Sequence, residues 1–147
     1  MFRIKNHLSP KFVIFLDELS RNEVIEELVN LLFEKKAIHD KKSFYQAIIE
    51  REKIVTTGIG MGVAIPHAKL AEYDNFFIAV GILKNGVDWK AVDGTLVRIV
   101  FLIGGPDDKQ TEYLRILSGI TVALKDEERR KAILLAESPE EVIQAFS

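Results

Sequence analysis

Hydrophobic positions along this chain switch between a two-residue and a three-to-four-residue period, and the switches mark out its elements. Phe12-Val13-Ile14-Phe15-Leu16 is a β-rich run and reads as a strand. Ser20 and Glu23 follow at capping-box spacing. Beyond them Val24, Ile25, Leu28, Val29 and Leu32 share one helical stripe, with Glu26, Glu27 and Lys35 on the other side, which predicts a helix to about Lys36. Asp40 is a good cap for a second helix to about Glu52, with Phe44, Ala47, Ile48 and Arg51 on successive turns. Val63-Ala64-Ile65 reads as a short buried strand ended by Pro66, which cannot donate to a sheet ladder. Residues 76–83 form a continuous strand-forming run. Asn85-Gly86 then signals a tight turn, with Val87-Asp88-Trp89 as a short return. The most apolar strand is 97–103, broken only by Arg98 and so expected at the centre of the sheet.

After the loop 104–108 a helix is expected over about 109–125, with Leu114, Leu117, Ile120, Val122 and Leu124 as its buried side. A shorter helix should cover 126–136. Ser138-Pro139-Glu140-Glu141 is a second capping box, opening a terminal helix that turns Val142, Ile143 and Phe146 inward. Helices at both ends around several strands predict an α/β fold, a single domain over 1–147 in which a mixed β-sheet of about five strands is flanked by helices. Residues 1–11, polar and basic around Pro10, are expected to form a flexible arm.

Composition narrows the partners. A chain of 147 residues is long enough to bury a core, and its net charge of −2 leaves no clustered excess of Lys and Arg for a nucleic-acid footprint. There is no cysteine, which excludes disulfides and thiolate chemistry in these residues. The run 12–16 is too short for the core of a signal peptide. Lys84, Asp88 and Arg98 cut the apolar stretches before they reach the length of a membrane span, so a cytoplasmic location is expected.

The candidate chemistry lies in Thr56-Thr57-Gly58-Ile59-Gly60-Met61-Gly62-Val63-Ala64-Ile65-Pro66-His67-Ala68. Alternate glycines give the backbone access to positive φ and to close approach. His67 follows a proline at the end of an element, where a rigid scaffold presents reactive groups. Imidazole is largely neutral and nucleophilic near pH 7, and NH-rich backbone beside it suits a phosphoryl group. From spacing alone, His67 reads equally well as a polar surface residue. Arg51 reads as a solvated cation at a helix end, favoured by the helix dipole.

The runs Arg51-Glu52-Lys53, Thr57-Gly58-Ile59-Gly60 and Val63-Ala64-Ile65-Pro66-His67-Ala68-Lys69 resemble the enzyme IIA domain of the phosphotransferase system. The likeness is to the mannitol/fructose class, which includes the nitrogen-regulatory IIA proteins. Val87-Asp88-Trp89, Val92-Asp93-Gly94 and the apolar run 97–105 extend it over about 16–146. The resemblance implies a phosphotransferase component that works by phosphorelay. His67 would accept a phosphoryl group on Nε2 from the histidine-containing phosphocarrier protein. It would then pass the group to a separate IIB component, or its phosphorylation state would serve as a regulatory signal.

Nδ1 should then be held by a hydrogen bond, and Arg51 should neighbour His67 as a planar clamp on phosphate oxygens. Thr56, Thr57, Gly58 and Gly60 are candidate phosphate-binding positions, through hydroxyls and a nest of backbone NH groups. Ile59, Met61 and Ile65 are candidates either for a docking surface or for the core. No cofactor or metal is implied. Without cysteine, a fused IIB domain of the cysteine-phosphorylated kind is not expected. Family members commonly carry a second active-site histidine in an H-L-x-x-L pattern. Here Tyr113 stands at that position, in Tyr113-Leu114-Arg115-Ile116-Leu117. A tyrosine is neutral at pH 7, and its loss of charge should weaken stabilisation of the transferring group. The alternative reading is therefore a regulatory protein-binding module whose transfer is slow or lost.

Overall fold

The computed structural model describes residues 2–17 and 20–147, so Met1 of the expected arm and Leu19 before the first cap lie outside the described residues. Helix α1 spans Arg21–Glu34 and α2 spans Lys41–Ile54. The Ser20 hydroxyl accepts from the Glu23 amide at 3.3 Å, while the Glu23 carboxylate accepts from the Ser20 amide at 3.1 Å. Two donors at the helix start are thus satisfied reciprocally. All five residues of the α1 stripe are buried. Asp40 caps α2 by accepting from the Ser43 amide at 3.0 Å.

Six strands make one mixed sheet: β1 Val13–Leu16, β2 Gly58–Gly60, β3 Val63–Ala64, β4 His67–Lys69, β5 Phe77–Val87 and β6 Val97–Gly105. Their order is β1-β5-β6-β3-β2, with β4 also on β6. β6 is central, as its apolar run predicts. Helices α3 (Gln110–Leu124), α4 (Glu127–Leu135) and α5 (Pro139–Gln144) complete the chain. Alternation along β6 divides the core: Ile99, Phe101 and Ile103 pack towards α3, α4 and α5, and Val100 and Leu102 towards α1 and α2. The result is a three-layer α/β/α arrangement.

The structure corrects four local expectations. Asn85-Gly86 makes no turn: β5 runs through both residues, Val87 still pairs with Val97, and the ladder is irregular between Ile82 and Val87. The cross-strand pairing and the bond from Asn85 Nδ2 to Asp17 Oδ1 at 2.9 Å override the local turn preference. Reversal comes later, where Lys90 and Gly94 take φ of 58° and 75°.

Second, the buried face of α3 is Tyr113, Ile116, Ile120, Ala123 and Leu124, whereas Leu114 and Val122 are 50% and 63% exposed. This helix is apolar at so many positions that two stripes compete, and the one carrying Tyr113 and Ile116 meets the sheet. Third, the second capping box is half made. Ser138 accepts from the Glu141 amide at 3.2 Å, but the Glu141 carboxylate takes the Glu137 amide at 2.7 Å. Fourth, residues 2–11 do not form a loose arm. Two short 3-10 turns, Ile4–His7 and Pro10–Phe12, bury Ile4 and Leu8 in the core with α3 and α5. Ordering these residues removes two large aliphatic side chains from water, worth about 1.5–3 kcal/mol each when fully buried. No helix among the described residues is long and apolar enough to cross a membrane.

Candidate functional site

β3 and β4 are two pieces of one line of chain. Val63 pairs with Ile99, and His67 with Ile103, in a single unbroken parallel register on β6. The break between them is Ile65-Pro66. Proline has no NH to donate, although its carbonyl still accepts from Ile103 N at 3.0 Å. The Ile65 carbonyl at this break lies 3.0 Å from His67 Nδ1. A carbonyl can only accept, so Nδ1 carries the proton and Nε2 keeps its lone pair. The expected Nδ1 partner is therefore a backbone oxygen two residues back, supplied by the proline interruption.

His67 begins a strand rather than ending one, and this sets its neighbours. His67 and Lys69 are half-buried on one side of β4, while Ala68 between them is buried on the other, towards α2. On the α3 side, the Tyr113 ring lies 5.5 Å from the His67 ring, centroid to centroid. On the α2 side, Arg51 is held by a bond from Nη1 to the Val55 carbonyl at 3.0 Å. Arg51, His67, Lys69, Ala47, Ala68 and Asp107 line an open hollow of about 400 Å³. The two helical layers meet there, at the C-terminal ends of parallel strands, where open α/β sheets commonly bind ligands.

Burial is the main cause holding the His67 pKa below the ordinary 6.5; the bond to Ile65 works against it, Arg51 and Lys69 add to the lowering, and Glu52 opposes. The imidazole is therefore neutral and nucleophilic across the neutral range. Tyr113 is shifted the other way, raised above 10.0 chiefly by burial, with Arg51 opposing. It stays a neutral phenol. A tied imidazole with one free lone pair, between two cations, suits attack on an anionic electrophile.

Arg51 and Tyr113 therefore lie with His67, as expected. Thr56, Thr57, Gly58 and Gly60 do not line that hollow, and the Thr56, Thr57 and Gly58 donors are bonded within the protein. The Thr56 hydroxyl donates to the Trp89 carbonyl and accepts from the Gly58 amide at 3.1 Å. Thr57 donates its hydroxyl to Glu52 Oε2 at 2.7 Å and its amide to Glu52 Oε1 at 2.8 Å, and it accepts from Trp89 Nε1 at 3.2 Å.

The expected nest is filled as well: the Met61 amide donates to Asp93 Oδ2 at 3.0 Å and the Gly62 amide to the Thr95 hydroxyl at 3.2 Å. Gly60, at φ 97°, is needed here because a Cβ would lie 2.7 Å from Asp93 Oδ2. Of the docking candidates, Ile65 is core. Ile59 and Met61 are exposed, but their hairpin meets the Val97 end of β6 while His67 pairs near its Gly105 end.

The Glu52–Thr57–Trp89 network fixes the end of α2, and hence Arg51. All three side chains are buried. Glu52→Ala should leave the Thr57 donors without their acceptor and lower stability by about 2–3 kcal/mol, read by urea unfolding. A loss within 0.5 kcal/mol, roughly the surface-substitution range, would show that the network does not hold this helix end.

Residues 6–147 match the family described as "Phosphoenolpyruvate-dependent sugar phosphotransferase system, EIIA 2". This chain belongs to that family. It is 38% identical over 132 residues to the fructose-specific EIIABC component of Bacillus subtilis, covering 90% of this chain but 21% of that longer protein. To the mannitol-specific phosphotransferase enzyme IIA component of Staphylococcus aureus it is 35% identical over 130 residues, 86% of this chain and 85% of the relative. Among solved structures, the nitrogen regulatory protein IIA-Ntr of Neisseria meningitidis superposes with a TM-score of 0.89 at 26% identity, over 98% of this chain and 99% of its own. Similarity thus runs to sugar-specific and nitrogen-regulatory members alike.

Sequence reasoning gave Lys69 no role in this IIA site. Its ammonium lies 4.2 Å from the centroid of the Tyr113 ring and 2.7 Å from Gln110 Oε1. The signal available was the two-residue period, which puts Lys69 on the face of His67 once 67–69 is read as a strand. Glu52 was visible only as part of a motif, because nothing in its spacing announces a buried carboxylate.

Proposed function

We propose that this chain is a phosphocarrier of the phosphoenolpyruvate-dependent phosphotransferase system, with His67 Nε2 as the acceptor. The observation that carries this reading is the Nδ1 bond to Ile65, which leaves Nε2 free beside Arg51 and Lys69. The donor is the histidine-containing phosphocarrier protein. His67 Nε2 attacks phosphorus, the donor's N–P bond breaks with its electron pair staying on the donor nitrogen, and the Nδ1 proton stays on the Ile65 carbonyl bond. Arg51 clamps the equatorial oxygens, since phosphoryl transfer needs positioning and charge compensation more than covalent help. The product passes to a separate IIB component or acts as a regulatory signal, and the protein works in the cytoplasm. The neutral Tyr113 favours the second reading, a regulatory module with slow transfer.

Incubation with enzyme I, the phosphocarrier protein and phosphoenolpyruvate, followed by intact-mass measurement in alkali, tests the proposal. One added phosphoryl group is expected. A folded chain that gains none from an active donor overturns the carrier reading and leaves the regulatory module.

A further inference from the structure

Charge compensation at this site has no second histidine to supply it. Tyr113 occupies that position, and burial keeps its phenol neutral. A phosphoryl group on His67 would meet Arg51 from the α2 side, but from the α3 side only a phenol. Among the described residues, the other cation lining the hollow is Lys69, on the same face of β4 as His67. Its long stem is half-buried, and its ammonium rests between the Tyr113 ring face, 4.2 Å from the centroid, and Gln110 Oε1 at 2.7 Å. An ammonium over an aromatic face is attracted by the ring quadrupole, so the ring fixes the position of the charge. Tyr113 in turn sits 5.5 Å from the His67 ring and 6.2 Å from the Phe76 ring, centroid to centroid. The charge of Lys69 reaches His67, since it is one of the two cations that hold that imidazole pKa down.

We propose that Lys69 is a catalytic residue of this chain, binding a phosphoryl oxygen opposite Arg51, and that Tyr113 and Gln110 are positioning residues that hold its ammonium ready. The site thus moves the second positive charge from helix α3 to strand β4. A lysine suits the task because its ammonium is a compact charge with three donors on a flexible stem. It can leave Gln110 for a phosphoryl oxygen while staying near the ring. Asp107, also on the hollow, and the buried Glu52 are the carboxylates whose repulsion of phosphate the two cations must outweigh. The step adds no reactant: the N–P bond to His67 forms as the donor's N–P bond breaks, and Lys69 contributes charge without transferring a proton. This inference rests on His67 being the acceptor.

The test compares single-turnover phosphoryl uptake from the phosphorylated phosphocarrier protein by the wild type, Lys69→Met, Lys69→Arg and the double variant Lys69→Met with Tyr113→His. Lys69→Met should slow uptake at saturating donor by about 10- to 100-fold, less than a fully buried donor would because the side chain is half exposed. Lys69→Arg should recover most of the rate. The double variant should recover part of it, because an imidazolium at 113 restores charge on that side. A merely structural lysine would give no such rescue.

NMR titration of the His67 ring reads the same charge without any transfer. In the wild type the ring should titrate below 6.5, and in Lys69→Met its midpoint should rise. Equal uptake by the wild type and Lys69→Met overturns the role of Lys69 while leaving His67 as the acceptor. A wild type that accepts nothing overturns both.

Discussion

Replacing His67 with alanine is expected to abolish phosphorylation of this chain while leaving its fold intact. The backbone of 67–69 is held by pairing with β6, which does not depend on the imidazole, and the side chain is half-buried rather than part of the core. The chemistry depends on it wholly. Of the three histidines, His7 sits in the 3-10 turn beside Phe2, and His39 pairs with Glu72 at 2.9 Å in an exposed position. His67 is the one set beside Arg51 with its Nδ1 bonded. Intact mass under alkaline conditions, with far-UV circular dichroism as the control for folding, checks this. A His67→Ala chain that still gains a phosphoryl group would place the acceptor elsewhere.

Arg51→Ala carries the second largest expected effect, a loss of about 10²- to 10³-fold in uptake at saturating donor, the range for removing one preorganised donor from a developing charge. The guanidinium is preorganised here because Nη1 is fixed on the Val55 carbonyl, at the helix end that the Glu52–Thr57–Trp89 network secures. Its planar fork can hold that bond and still offer donors to phosphate. Arg51→Lys should recover only part of the loss, since an ammonium lacks the planar, rigid fork that spans the Val55 carbonyl and the phosphate oxygens together. A rate that falls only through weaker donor binding, with uptake at saturation unchanged, would make Arg51 a docking contact instead.

Much of the fold was legible because burial and period agreed. The α1 stripe and the central apolar run 97–105 each combine a strong pattern with a large buried surface, and the Asp40 cap is a local hydrogen bond, so no tertiary contact competes with the local signal. Where local and global preferences conflicted, the global one prevailed. Asn85-Gly86 is absorbed into β5 by pairing across to β6, and the many apolar positions of α3 left its buried face to be chosen by the sheet. Ile4 and Leu8 show the same limit from the other side: two isolated aliphatic residues in a polar stretch carry no period, yet they dock on the core.

The site divides along the same line. His67, Arg51 and Tyr113 were singled out by the resemblance to the enzyme IIA family rather than by spacing alone, and the fold brings them together. Threonine and glycine chemistry was readable but not its use. Whether a hydroxyl or amide faces a ligand or a carboxylate of the chain depends on the buried Glu52 and the exposed Asp93, which approach from another turn and another loop. The Ile65 carbonyl as the Nδ1 partner could not be read at all, because it follows from β3 and β4 sharing one register around Pro66.

The central claim is that the phosphoryl group resides on Nε2 of His67, and the most direct measurement is of the ring nitrogens themselves. The chain, labelled with nitrogen-15 histidine, is phosphorylated through the phosphocarrier protein, and proton–nitrogen correlation spectra at alkaline pH locate the nitrogen coupled to phosphorus. The predicted result is coupling at Nε2 of His67, with Nδ1 retaining its proton on the Ile65 carbonyl. Coupling at Nδ1, or at the ring of His7 or His39, would contradict the account.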